Sequence, residues 1–158
     1  MTALSVIEHD ALSTAAPREV LTSRLGEEAY GIDILAVQEI RRLEPATRIA
    51  NAPAHVLGVI NLRGVIVPIV DLRHLLGLPA DNGTNTVTVV VNLGARTVGL
   101  VVDAVSDVVA LTPAQIQPRP SLGPRVDADF IVGLAHLDAA EGQRLLLLVD
   151  LAALLRDL

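Results

Sequence analysis

Apolar residues along this chain come in short runs rich in valine and isoleucine, broken by Gly, Asn, Asp and Pro. β-Branched runs bounded by turn formers fit a pleated surface, so the pattern predicts strands and tight turns rather than helices. Hairpins are predicted around Leu25-Gly26-Glu27 and around Asn92-Leu93-Gly94-Ala95. A third covers residues 58–71, where Gly-Val-Ile leads into the turn Asn61-Leu62-Arg63-Gly64 and then Val-Ile-Val-Pro-Ile-Val-Asp. Pro68 cannot donate to a ladder, which predicts an edge position or a bend there. Two short stretches, 71–76 (stopped by Gly77) and 150–155, read as helical, each with an aspartate placed to cap its first turn.

The pattern also repeats. Shifting the chain by 68 positions aligns residues 25–45 with 93–113 without a gap. Identities fall at Leu25/Leu93, Gly26/Gly94, Gly31/Gly99, Ala36/Ala104, Val37/Val105, Leu43/Leu111 and Pro45/Pro113, and Glu39/Asp107 and Ile40/Val108 keep their chemistry. Further on, Gly58 and Val70-Asp71-Leu72 are echoed by Gly133 and Val149-Asp150-Leu151, with loops of different length between. One unit of about five short strands therefore appears twice. Five strands suffice for a small closed barrel, and a unit this small is marginal alone, so the two are expected to complete each other.

Composition narrows the chemistry. The 158 residues include 12 basic side chains, all arginine, and 18 acidic ones, a formal charge of −6. Without lysine there is no Schiff base and no phosphate-loop lysine; without cysteine there is no thiolate catalysis or cysteine-ligated metal. Aromatics are limited to Tyr30 and Phe130, which with the acidic balance argues against nucleic-acid binding. Mean hydropathy is +0.52, yet no apolar run reaches the length of a spanning helix. Residues 1–17 lack a basic leader and apolar core, so the expectation is a cytoplasmic protein with no membrane insertion.

Few residues stand out as chemistry. Arg63 is placed at a hairpin tip between Asn61 and Gly64, where its fork of donors suits a partner's carboxylate or carbonyls; a merely solvated turn arginine is the ordinary reading. Alternation puts Val37 and Glu39 on one face of their strand and Gln38 and Ile40 on the other. Glu39 there fits either a mixed docking surface or a routine surface pair with Arg41, Arg42 or Arg63. The histidines His9, His55, His74 and His136 read as surface or helix-end residues. Asp71 and His74, spaced to share a helix face, are the only hint of a small metal- or ligand-dependent hydrolase or binding barrel. Neither a nucleophile motif nor a glycine-rich phosphate loop occurs, so no cofactor is expected.

Three segments carry a resemblance: Tyr30-Gly-Ile-Asp-Ile-Leu-Ala-Val-Gln-Glu-Ile40, Gly58-Val-Ile-Asn-Leu-Arg-Gly-Val-Ile-Val-Pro-Ile-Val-Asp-Leu-Arg73 and Val98-Gly-Leu-Val-Val-Asp-Ala-Val-Ser-Asp-Val108. Together they resemble the CheW family, the coupling proteins of bacterial chemotaxis, from about Glu19 onward. The resemblance implies an all-β fold of two pseudo-symmetric SH3-like five-stranded barrels with short helices. It covers a domain 19–158 made of two intertwined barrel subdomains; the segment 1–18 before it is expected to be flexible, as chain termini commonly are. It also implies a non-enzymatic adaptor joining chemoreceptor cytoplasmic tips to the regulatory domain of the histidine kinase CheA, recruited to membrane-associated receptor arrays. The receptor surface would involve Val37, Glu39, Asn61, Leu62, Arg63 and the strand at Val87, whereas no individual kinase-contact residue carries over. Leu21, Thr88 and Arg42 depart from the usual family pattern without touching the central motif. A coupler fused to a receiver domain, or the kinase's own regulatory domain, would share the fold; the initiating Met1 and the end just after the closing helix favour a stand-alone coupler.

Overall fold

The computed structural model describes residues 19–118, 130–139 and 142–156; the expected flexible segment 1–18 lies outside the described residues. In chain order the elements are β1 (Glu19–Leu25), β2 (Glu28–Asp33), a 3-10 turn (Ile34–Ala36), β3 (Val37–Arg42), β4 (Val56–Leu62), β5 (Val65–Asp71) and α1 (Leu72–Leu75). There follow β6 (Val87–Leu93), β7 (Arg96–Val102), β8 (Ala104–Ala110), a second 3-10 turn (Pro113–Gln115), β9 (Ile116–Gln117), β10 (Ile131–Ala139), β11 (Gly142–Val149) and α2 (Leu151–Leu154). The three hairpins and both helices that the sequence pattern predicts are present, and β10–β11 adds a further hairpin. No helix among the described residues is long and apolar enough to cross a membrane.

Two sheets form, ordered β8-β1-β2-β11-β10-β9 and β3-β6-β7-β5-β4. Each contains strands from both repeats, because β1–β2 joins the second repeat's β10–β11 and β6–β7 joins the first repeat's β3, β4 and β5. The segment after β3 returns to β4, where Thr47 and Val59 exchange hydrogen bonds of 2.9 Å in both directions. In the other sheet β9, which follows β8, pairs with β10 in the corresponding way. Each sheet thus curls until its ends are linked, as a small barrel requires.

The chain divides into two compact units, one comprising Glu28–Ile34 with the described parts of 1–22 and 107–158, the other Ser23–Glu27 and Leu35–Ser106. The first is filled by Val20, Leu111, Ala135, Leu137, Leu146 and Leu148. The second is filled by Leu62, Val67, Ile69, Val90 and Val101. Both interiors are largely aliphatic, with Tyr30 also buried in the first unit.

The repeat is repeated in the pairing itself. The parallel pair Ile69↔Gly99 has its counterpart in Leu148↔Gly31. A register shift falls between Val56 and Gly58 and again between Ile131 and Gly133. The backbone N–H of Asp71 donates to His55 O at 2.8 Å, and that of Asp150 to Phe130 O at 2.7 Å. A Cβ on Gly99 would meet Ile69 at 2.6 Å and Thr88 at 2.8 Å; one on Gly31 would meet Val20 at 3.0 Å and Leu148 at 3.1 Å. Glycine at both places lets a neighbouring strand's side chains lie across the backbone.

Pro68 sits at a local edge. Residues 65–68 pair only with β4, and parallel pairing to β7 begins one residue later, at Ile69. The missing N–H falls where β5 is flanked on one side only.

Candidate functional site

The hairpin β4–β5 has a two-residue turn, Arg63-Gly64, with φ of 52° and 88°. A turn with positive φ at both central residues matches the right-handed twist of the strands it joins. The two left-handed residues are thus Arg63 and Gly64, not Asn61. Asn61 ends β4 and instead steadies the turn, its Oδ1 accepting the Gly64 N–H at 2.8 Å. Arginine in the left-handed region is a conformation a β-carbon disfavours, and such local strain concentrates at functional sites.

From that tip Arg63 reaches across to β3, its side chain 63% exposed. Nη2 donates to Glu39 Oε2 at 2.9 Å, and Nη1 and Nη2 both donate to Oε1 at 3.4 Å. Glu39 is half-buried because β3 alternates half-buried and exposed residues, with Val37, Glu39 and Arg41 on the more covered side and Gln38, Ile40 and Arg42 outward. Arg41 approaches the same carboxylate at 3.5 Å and holds Glu44 at 3.1 Å. The hydrogen bond from Arg63 is the largest influence on Glu39 and lowers its pKa; partial desolvation opposes it, and the charges of Arg63 and Arg41 reinforce it. The hydrogen bond to Glu44 likewise raises the pKa of Arg41.

Of the other anticipated residues, Val37 and Val87 are half-buried at the starts of β3 and β6, and Asn61 is exposed. Leu62 is different. It is 5% exposed and belongs to the interior of its unit. With the turn confined to Arg63-Gly64, Leu62 is the last inward residue of β4, so its side chain fills the core and is not available to a partner.

Asp71 and His74 do not form a site. Asp71 is buried, with Oδ1 and Oδ2 bonded to Arg73, while His74 is exposed. Among the described residues no group of three acidic or histidine side chains is placed to hold a metal.

Two features escaped the sequence reading. Leu35, in the turn leading into β3, is 90% exposed; an apolar residue flanked by Ile34 and Ala36 carries no signal that separates it from core. The other is Arg73, only 1% exposed. Its Nε donates to Asp71 Oδ1 at 2.9 Å and Nη2 to Asp71 Oδ2 at 3.0 Å. Nη1 donates to Asp103 Oδ1 at 3.1 Å and to Asp81 O at 3.2 Å, and Nη2 also to Asn82 Oδ1 at 2.8 Å. All five guanidinium donors are satisfied. Burial alone would lower the pKa of Arg73, but the bonds and charges of Asp71 and Asp103 outweigh it and leave the pKa raised. An open cleft of about 440 Å³ lies beside this cluster, lined by Arg24, Asp81, Asn85 and Asp103 among others.

The exposed apolar positions are themselves duplicated. Ile40 and Ile66 in one unit correspond to Val108 and Leu145 in the other, and all four are exposed. An acid–arginine pair accompanies each set, since Asp107, the counterpart of Glu39, lies 3.8 Å from Arg144 on β11.

Residues 19–158 match the family model described as a CheW-like domain. The chain is 50% identical over 141 residues to "Chemotaxis protein CheW" of Klebsiella aerogenes, covering 87% of this chain and 81% of that one. It is 42% identical over 139 residues to the protein of the same name from Rhizobium meliloti, covering 87% of each. Among solved structures it is similar to the scaffolding protein TtCheW from Thermoanaerobacter tengcongensis, with a TM-score of 0.73, 29% identity and 84% of both chains covered.

Proposed function

The chain belongs to the CheW-like family of chemotaxis proteins, and from that premise we propose that it couples chemoreceptor cytoplasmic tips to the regulatory domain of the histidine kinase CheA. It is a scaffold and not an enzyme. The observation that carries the proposal is the Glu39–Arg63 pair, an exposed charged bridge held by a strained hairpin turn on one side and a mixed strand on the other. A stability element would not need arginine in that conformation; a recognition element does, because the turn fixes where the guanidinium points.

The receptor tip docks at Val37, Glu39, Asn61, Arg63 and Val87, with Leu35 adding apolar area beside Val37. Glu39 and Arg63 set register by charge, and the aliphatic neighbours exclude water. Kinase contact uses mainly the barrel containing β3–β7. The duplication of exposed apolar positions at Ile40/Val108 and Ile66/Leu145 supports pseudo-equivalent contacts, through which coupler and kinase alternate in rings. Each contact can be small and reversible, because binding two partners at once raises their effective concentration toward each other. The working location is the cytoplasm, at membrane-associated receptor arrays.

Titration of a receptor-tip fragment into the protein tests this. Arg63→Ala and Glu39→Ala should each weaken receptor binding while leaving CheA regulatory-domain binding near wild type. Unchanged receptor affinity in both variants would overturn the assignment.

A further inference from the structure

We propose that Arg73 is a positioning residue for this docking face, acting through Asn82 and Asp103 to fix where β6 begins and hence where Val87 sits. The proposal rests on the docking surface described above.

The Arg73 guanidinium joins three separate segments of the chain. Arg73 lies on α1, Asp81 and Asn82 on the connection that returns the chain to the sheet, and Asp103 immediately after β7. Asp103 also accepts the Gly26 N–H with Oδ2 at 2.8 Å, so the β1–β2 turn belongs to the same cluster. The connection between α1 and β6 has no regular structure, and the cluster holds it at several points. Leu78 N–H donates to Arg73 O at 2.8 Å, the guanidinium takes Asp81 O and Asn82 Oδ1, and Gly83 N–H donates to Thr86 Oγ1 at 2.8 Å. Strand β6 opens directly afterwards at Val87.

Val87 pairs with Val102 on β7 and with Arg42 on β3. Asp103 is the next residue after Val102, and Asn82 is five residues before Val87. One guanidinium therefore clamps both chain segments that meet at the first pair of β6. The same strand continues to Val90, the partner of Glu39, so slack at the start of β6 reaches the charged bridge as well.

Duplication supplies a control that most proteins lack. At the corresponding places the other repeat has Ala152 for Arg73 and Leu35 for Asp103, yet it forms the same parallel pair, the same register shift and the same aspartate-capped helix. The barrel does not need the cluster in order to form. The cluster is confined to the unit that carries Glu39, Arg63 and Val87, which is where a positioning role would be wanted.

Asn82 offers the cleanest perturbation, since it can be changed without stripping Arg73 of its carboxylates. In the full-length protein, Asn82→Ala should speed amide exchange across residues 83–88 and lower affinity for a receptor-tip fragment by roughly three- to tenfold, the scale of one hydrogen bond's net effect. The thermal midpoint should fall by only a few degrees, the scale of one lost hydrogen bond in a chain of this size. Asn82→Asp keeps the acceptor and should restore both exchange and affinity, a rescue that a loosely structural role would not show. Wild-type affinity and exchange in Asn82→Ala, beside an Arg63→Ala variant that does lose affinity, overturns the positioning role and spares the docking face. Full affinity in both variants overturns the docking face, and this proposal with it.

Discussion

Glu39 and Arg63 lie 24 residues apart in the chain and 2.9 Å apart in the fold, one on β3 and the other at the tip of the β4–β5 hairpin. Neither element could hold the pair alone. Strand alternation turns Glu39 toward the covered side, and the turn, with its two positive φ values, swings Arg63 back over it. The consequence is a charged bridge whose geometry depends on a backbone conformation that arginine disfavours.

That strain can be separated from recognition. Asparagine is preferred over arginine at this turn position. Arg63→Asn is therefore expected to leave stability unchanged or raise it by up to about 1 kcal/mol, the order of a left-handed residue's cost, while receptor affinity falls. Denaturant unfolding and a receptor-fragment titration on the same preparation check both. A variant that binds normally would show that the guanidinium is dispensable.

The titration of Glu39 follows from its surroundings. Hydrogen bonding from Arg63 holds the folded carboxyl below its ordinary value. A depressed pKa makes a contribution to stability that is present above the unfolded-state value and is lost as the pH falls through the folded-state one. In a carboxyl-resolved NMR titration Glu39 should have a midpoint below the usual glutamate range. Arg63→Ala should move that midpoint upward, and a midpoint that does not move would assign the shift to Arg41 instead.

Arg73 makes the opposite case, in which charge is structural. Arg73→Met would leave Asp71 and Asp103 facing each other without their shared cation. Removing one partner of a buried ionic cluster costs about 3–5 kcal/mol, so chemical denaturation should show a loss on that scale. A loss below about 1 kcal/mol, the typical effect of an exposed pair, would mean that solvent already reaches the cluster.

The two equivalent glycines can be ranked. Alanine at Gly99 meets Ile69 and Thr88 at distances real β-carbons do not show, whereas at Gly31 the contacts are tight but closer to tolerable. Gly99→Ala should therefore destabilise by about 1–3 kcal/mol, as overpacking does, and Gly31→Ala by less. Thermal unfolding of the two variants side by side tests the order; equal losses would mean the repeats yield in different ways.

Much of this was legible in the chain. Valine- and isoleucine-rich runs punctuated by glycine marked the strands, and the shift of 68 positions exposed the duplication down to Gly31 and Gly99. The capping aspartates Asp71 and Asp150 were recognisable because a cap is made by neighbours a few residues apart. Recognition of the family likewise needed only residues contiguous in sequence. Tertiary structure decided the rest. Leu62 reads as part of an exposed motif, yet it turns inward because the tip is two residues long and not four. Nothing in the sequence sets Arg73 apart until the chain returns with Asp81 and Asn82 on one side and Asp103 on the other. Periodicity and propensity are set by near neighbours, so a linear reading recovers them; burial and charge pairing depend on which distant segments come together, and that is settled only when the sheets close.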